Sequence, residues 1–143
     1  MSSPPLQSVA FDTQPLLWFF RAIESDEQVK RYLAAVERGE IEASVSRPNL
    51  AELFYVGARL EDQQWADRRT TDLRNIGVAV VGDRDLRKPA ARLKHRYGPY
   101  FPIGDAYALA AAIDGDVPLL VGDDNDWDDP IDDGYDVIRV GDL

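Results

Sequence analysis

Strand-like and helix-like segments alternate along the 143 residues, which predicts an α/β domain built on a mainly parallel sheet. Three observations carry this. Five short β-prone runs lie at 8–11, 40–45, 78–81, 118–121 and 135–140. The segments between them repeat apolar residues at helical spacing. The runs VAVV and PLLV are apolar throughout rather than alternating, as strands buried on both faces are.

The elements follow in order. SVAF at 8–11 is a short strand ending at Asp12. Residues 15–23 are strongly apolar and predict a helix, with Pro15 tolerated in its first turn because no N–H partner is lost there. Ser25 followed by Gln28 has capping-box spacing and opens a second helix. Its apolar residues are Val29, Leu33 and Val36, and Gly39 is placed to end it. Residues 40–45 alternate as a strand. Ser46 and Pro48 open a third helix with Leu50, Leu53, Phe54 and Gly57 along one face. A fourth helix covers 61–75, followed by Gly77 and the strand at 78–81. Residues 83–97 read as helix, capped by Asp83 and delimited or kinked at Pro89. A Gly/Pro-rich loop (GPYFPIG) leads to the alanine-rich helix at 105–113, and the last two strands close the chain. Residues 123–136 read as a charge-dense loop. No repeat or linker interrupts the pattern, so residues 1–143 are expected to form a single domain.

Composition narrows the function. A hydrophobic content of 45% with three tryptophans supports a buried core rather than an acidic disordered chain. No apolar run approaches the roughly 20 residues of a membrane span, and residues 1–13 lack the pattern of a signal peptide, so the expected location is cytoplasmic with no membrane partner. Zero cysteines exclude disulfides, thiolate zinc sites and a cysteine nucleophile. The formal charge of −10 runs against the basic footprint of most nucleic-acid binders. Aspartate far outnumbers glutamate, however, and the only lysines are Lys30, Lys88 and Lys94. Such a composition fits either an ordinary acidic protein kept soluble by its charge or a halophilic one at high intracellular salt, where a Debye length of about 3 Å at 1 M makes net charge a poor guide to partners.

Four acids stand where strands or loops hand over to helices, each beside apolar residues: Asp12, Glu52, Asp105 and Asp124. Ligands of open α/β sheets bind outside the carboxyl ends of the strands. Asp12 and the group Asp123, Asp124 and Asp126 follow two such strands, and Asp105 starts a helix. Converging carboxylates without cysteine, and with one histidine in the chain, point to a divalent cation held by oxygen ligands, Mg²⁺ or Mn²⁺. Singly, each acid has a plainer reading. Asp12 and Asp105 fit helix N-caps, Glu52 a solvated helix face, and Asp123 onward a solvated loop. The RLKHRYGPY stretch places Arg92, Lys94 and Arg96 beside Tyr97 and Tyr100, suited to phosphate contact and base stacking, or to a positively charged helix end. Arg47 is a further candidate for RNA contact.

The four acids sit in flanking sequences whose ordered set resembles the PIN domain, specifically the VapC-type ribonuclease toxins of toxin–antitoxin operons. These are VAFDT, NLAEL, GDAYALAAA, and an apolar strand running into DND and Trp127. The resemblance implies a three-layer domain with a mainly parallel central sheet of about five strands flanked by helices. It implies that Asp12, Glu52, Asp105 and Asp124 are the catalytic acids. Asp12, Asp105, Asp124 and Asp126 would be the metal ligands, with Thr13 and Asn49 as polar companions. Two departures stand out: Val121 replaces a usual Thr or Ser, and the extra Asp123 competes with Asp124 for one role. Aligning on Trp127 favours Asp124.

The implied activity is metal-dependent endoribonuclease cleavage of RNA leaving 5′-phosphates, with charge neutralisation and water activation supplied by Mg²⁺ or Mn²⁺. The implied partners are the RNA substrate, a small antitoxin protein covering the acidic cleft, and a second copy in a homodimer, to which LLWFF at 16–20 could contribute. Three readings compete: a PIN nuclease of RNA maturation or quality control, a catalytically silent RNA- or protein-binding PIN module, and a receiver-like phospho-acceptor. The last lacks a suitable late-strand lysine.

Overall fold

In the computed structural model, residues 4–23, 27–82 and 84–143 are described, apart from the Arg84 side chain. Five strands form one sheet: β1 (Ser8–Phe11), β2 (Glu42–Ser46), β3 (Ala79–Val81), β4 (Leu119–Val121) and β5 (Val137–Arg139). Their spatial order is β3-β2-β1-β4-β5, and every pairing is parallel. Phe11 pairs with Val45 on one side and Leu120 on the other, which puts Asp12 beside the end of β4. The Asp12 N–H continues that ladder to the Leu120 carbonyl at 3.0 Å.

Among the described residues seven helices cover the sheet: α1 (Thr13–Phe20), α2 (Glu27–Glu37), α3 (Arg47–Leu60), α4 (Gln63–Ile76), α5 (Arg87–Tyr97), α6 (Ile103–Gly115) and α7 (Asp128–Asp132). The strand period of two divides the core. Val9, Phe11, Val45 and Leu120 pack with Leu16, Tyr32, Leu33, Leu53 and Leu73 on one face. Ala10, Leu119, Val121 and Val137 pack with Leu93, Phe101, Trp127 and the alanines of α6 on the other. Both faces are covered, which is why β1 after Ser8 and all of β4 are apolar without a break. The result is the expected three-layer arrangement.

Several element boundaries have clear local causes. Ser46 caps α3, accepting the Asn49 N–H at 3.1 Å, and Pro48 sits in the first turn. Asp62 caps α4 through the Trp65 N–H at 2.7 Å. Gly77 ends that helix in a left-handed conformation (φ +114°) that a side chain would strain. Pro89 occupies the third position of α5, where it delimits rather than kinks. Ser25 and Asp83, expected as caps, lie outside the described residues.

One expectation is overturned. Residues 123–136 are not a loop, because a 3₁₀ turn at Asn125–Trp127 runs into α7. Charge density hid a buried apolar anchor: Trp127 is fully buried and Pro130 is buried with it. Among the described residues no helix is long and apolar enough to cross a membrane.

Candidate metal centre

The sheet reverses its strand order between β1 and β4, and the acids gather at the carboxyl ends of those two strands. This is the switch point where open α/β sheets place ligands. Asp12 follows β1 directly and is 3% exposed. It occupies the N-cap position of α1, yet its side chain makes no capping hydrogen bond. Asp105 is the third residue of α6, whose N-cap is Pro102, so it is not a cap either. It is 8% exposed, and its Oδ2 is buried without a hydrogen-bond partner. Asp124 opens the 3₁₀ turn and accepts the Asp126 N–H at 3.0 Å. Asp105, Asp124 and Asp126 each offer a carboxylate oxygen, all within 4.8 Å of one another. Asp123 is exposed and outside this group.

Asn49 locks the surrounding elements together. It is fully buried and has two side-chain N–H donors. They reach the Gly104 carbonyl at 3.0 Å and the Thr13 Oγ1 at 3.2 Å, with Asp12 Oδ1 a weaker contact at 3.5 Å. Its Oδ1 accepts from the Ser46 hydroxyl. Thr13 Oγ1 donates back to the Asn49 carbonyl at 3.3 Å. One amide therefore ties α3, α1 and the start of α6 around Asp12. Glu52, one turn further along α3, lies against Gly104. A Cβ built there would stand 3.1 and 3.2 Å from its two carboxylate oxygens.

The electrostatics follow from burial and like charge. Burial pushes the Asp105 carboxyl up to about 9, and the charges of Asp12, Asp124, Asp126 and Glu52 add to the rise. Asp12 is pushed up to about 7, chiefly by burial, with Glu52 and Asp124 adding to it. The Thr13 N–H and the Trp127 indole N–H oppose that rise. The indole lies beside Asp12 without reaching full hydrogen-bond geometry. Asp124 is also raised, chiefly by burial; the Asp126 N–H opposes this most, and Arg139 less. Carboxylates so disfavoured as anions call for a compensating cation. The orphaned Asp105 oxygen and the all-oxygen donor set fit Mg²⁺ or Mn²⁺.

The basic candidates are spread more widely. Arg47 and Arg92 are exposed. Lys94 Nζ donates to the Phe101 carbonyl at 2.7 Å and the Pro99 carbonyl at 3.3 Å, tying down the loop before α6. Arg96 pairs with Asp133 at 3.1 Å and lies over the Tyr97 ring, whose hydroxyl also donates to Asp133 at 2.6 Å. Tyr97, Phe101 and Trp127 form a continuous aromatic run, with ring centroids 5.2 and 5.5 Å apart. This run links the end of α5 to the turn that carries Asp124 and Asp126. A depression of about 540 Å³ opens at the opposite, amino ends of β1 and β2, beside Ser8, Glu42 and Asp114, and none of the motif acids lines it.

Sequence reasoning missed three contributors. Ser46 orients Asn49, a pairing visible in the Ser-x-x-Asn spacing of the cap. Gly104 gives Glu52 room, which only the folded contact reveals. Arg139 is the sole basic residue after Arg96, a signal that was legible.

The fold and the site define a doubly covered parallel α/β protein with a buried carboxylate cluster at its switch point. The profile of the PIN domain matches residues 9–130, and the chain belongs to that family. Among proteins of curated function none matches the sequence. Solved structures share the fold, among them the following three. A toxin–antitoxin complex from Klebsiella pneumoniae aligns with 94% of this chain and 99% of its own, at 18% identity and a TM-score of 0.67. VapC20 of Mycobacterium tuberculosis, described as a sarcin-ricin loop cleaving toxin, aligns with 89% of this chain and 95% of its own, at 16% identity and a TM-score of 0.70. VapBC2 from Rickettsia felis, bound to a promoter DNA fragment, aligns with 92% of this chain and 98% of its own, at 13% identity and a TM-score of 0.68. At these identities the likeness is one of fold.

Proposed function

We propose that this protein is a divalent-metal-dependent endoribonuclease and the toxin of a toxin–antitoxin pair, with residues 1–143 forming one PIN domain. The observation that carries the reading is the Asp105 carboxylate, buried with an unpartnered oxygen and faced by the charges of Asp12, Glu52, Asp124 and Asp126. Nothing in a structural core calls for such a cluster, whereas binding a cation at a phosphodiester does.

In this reading Asp12, Asp105, Asp124 and Asp126 hold Mg²⁺ or Mn²⁺, and Glu52 faces the same site from α3. When bound, the cation neutralises charge building on the scissile phosphate and makes a water more acidic. The chain's own residues do the positioning. Asn49 and Thr13 fix the start of α1 and the start of α6, so Asp12 and Asp105 keep one separation. Arg47, Arg92, Lys94 and Arg96 serve as phosphate contacts, and Tyr100, 89% exposed, offers a face for a base. The structural relatives, a toxin–antitoxin complex, the VapC20 toxin and VapBC2 on promoter DNA, support an antitoxin partner. A basic antitoxin side chain would meet complementary charge at the acids. The half-buried Leu17, Trp18, Phe19 and Phe20 are the candidates for a homodimer contact.

The test is cleavage of RNA by the purified protein with Mg²⁺ or Mn²⁺, in EDTA, and with Asp12→Asn. Cleavage only with metal, lost in a folded Asp12→Asn protein, is the expected result. Full cleavage by that variant would refute the metal-site assignment. Mapping RNA ends after induced expression identifies the target, and growth arrest relieved by a protein encoded beside it identifies the antitoxin.

A further inference from the structure

We propose that Arg139 is a positioning residue for the metal centre, holding the Asp124–Asp128 segment so that Asp124 and Asp126 face Asp105. The inference rests on the metal-site reading above and adds to it a residue outside the four acidic motifs. Arg139 is the last residue of β5 and is in register with Val121 of β4, the strand that leads into the segment. Its guanidinium pairs with the Asp128 carboxylate at the segment's far end. The same nitrogen reaches the Asp124 backbone carbonyl at 3.5 Å, at the near end. One planar side chain thus spans the 3₁₀ turn from the outside while Trp127 pins it from the core.

Arg139 is also the only basic residue in the chain beyond Arg96, set within its most acidic stretch. An ordinary surface pair could be made by any of the neighbouring aspartates. This cation sits where it bridges the two ends of the turn that carries two candidate ligands. The Arg139 side chain is 24% exposed and that of Asp128 58%, and pairs this open contribute little to stability. Removing the pair therefore separates positioning from folding. Lysine keeps the charge, but its rotatable ammonium on a flexible stem does not hold two partners in the fixed plane of this guanidinium nitrogen.

The experiment measures Mn²⁺ binding by the paramagnetic signal of the free ion, for wild type, Arg139→Lys, Arg139→Met, Asp128→Asn and Asp105→Asn. RNA cleavage is titrated with Mn²⁺ in parallel. Arg139→Lys and Arg139→Met are expected to weaken Mn²⁺ binding by about tenfold, the scale of losing a group that orients a ligand. Asp128→Asn should weaken it in the same direction. Metal-free melting temperatures should move by less than about 2 °C, as loss of an exposed ion pair implies. For the Arg139 variants, cleavage should need more Mn²⁺ but recover at saturation, a split that a general loss of structure would not give. Unchanged or tighter Mn²⁺ binding in both Arg139 variants overturns the proposal, since Arg139 would then act only as a repelling charge or not at all. If wild type itself binds no more Mn²⁺ than Asp105→Asn, the metal site fails and this proposal with it.

Discussion

At the residue scale the site depends on a few contacts whose geometry leaves little slack. Asn49 is one: both of its N–H donors and its carbonyl oxygen are engaged, so neither end can turn without leaving a buried group unpaired. Gly104 is another. It sits in the first turn of α6, and a methyl there would press on both Glu52 oxygens. Alanine is the better helix former, by up to about 1 kcal/mol. Gly104→Ala is therefore expected to leave the melting temperature unchanged or raised while it shifts the Glu52 carboxylate by a few tenths of an ångström. RNA cleavage should fall by roughly three- to tenfold, given that misplacements near 1 Å can cost about a hundredfold. Full activity in this variant would show that the position of Glu52 does not matter. The sequence marked Glu52 as one of the four acids and, through the PIN resemblance, Asn49 as a polar companion, but it could not show that position 104 must be small. That constraint arises only where α3 crosses α6.

At the element scale, legibility tracked how locally each element is determined. β1 and β4 were readable because burial on both faces leaves them almost wholly apolar, β2 because it alternates, and α3 because its cap and proline lie close together in the chain. The segment after β4 was misread for the opposite reason. Its aspartates look solvated, and the residues that make it a turn and a helix are single: Asp124 as cap, Trp127 and Pro130 as buried anchors. The capping alternatives left open for Asp12 and Asp105 also needed three dimensions. Asp12 holds the cap position without capping, and Asp105 is the third residue of α6, within its first turn. Trp127 contacts Phe101 edge-on and lies beside Asp12, so its loss should free the whole segment from the second core layer. Trp127→Ala is expected to cost about 3–5 kcal/mol in urea unfolding, the range for emptying a large aromatic site. A loss below about 1 kcal/mol would mean that the indole does not anchor the segment.

At the scale of the whole molecule, the acid cluster couples folding to pH and to metal. The carboxyls of Asp12 and Asp105 stand at about 7 and about 9 in the fold, against an ordinary value of 3.8. Between these limits the unfolded chain has lost protons that the native state keeps. The unfolded state therefore binds fewer protons, and stability falls as pH rises through this window. Burial of two disfavoured anions is tolerable in a metal-binding protein because the cation binds the deprotonated native state and restores what ionisation removes. The melting temperature in EDTA should thus drop from pH 5.5 to pH 8.5. The scale is about 2–4 °C per kcal/mol for a domain of this size. Mn²⁺ should raise it more at pH 8 than at pH 6. A formal charge of −10 also favours lower pH through general self-repulsion, so the wild-type profile alone does not isolate the cluster. Asp105→Asn isolates it, because the substitution removes the most strongly raised buried carboxyl and leaves the surface charges as they are. That variant should melt higher than wild type at pH 8.5 in EDTA, show a flatter pH profile, and gain little from Mn²⁺. A wild-type profile as flat as that of Asp105→Asn would mean that the buried acids carry no linkage. Their convergence would then be a feature of packing rather than of metal binding.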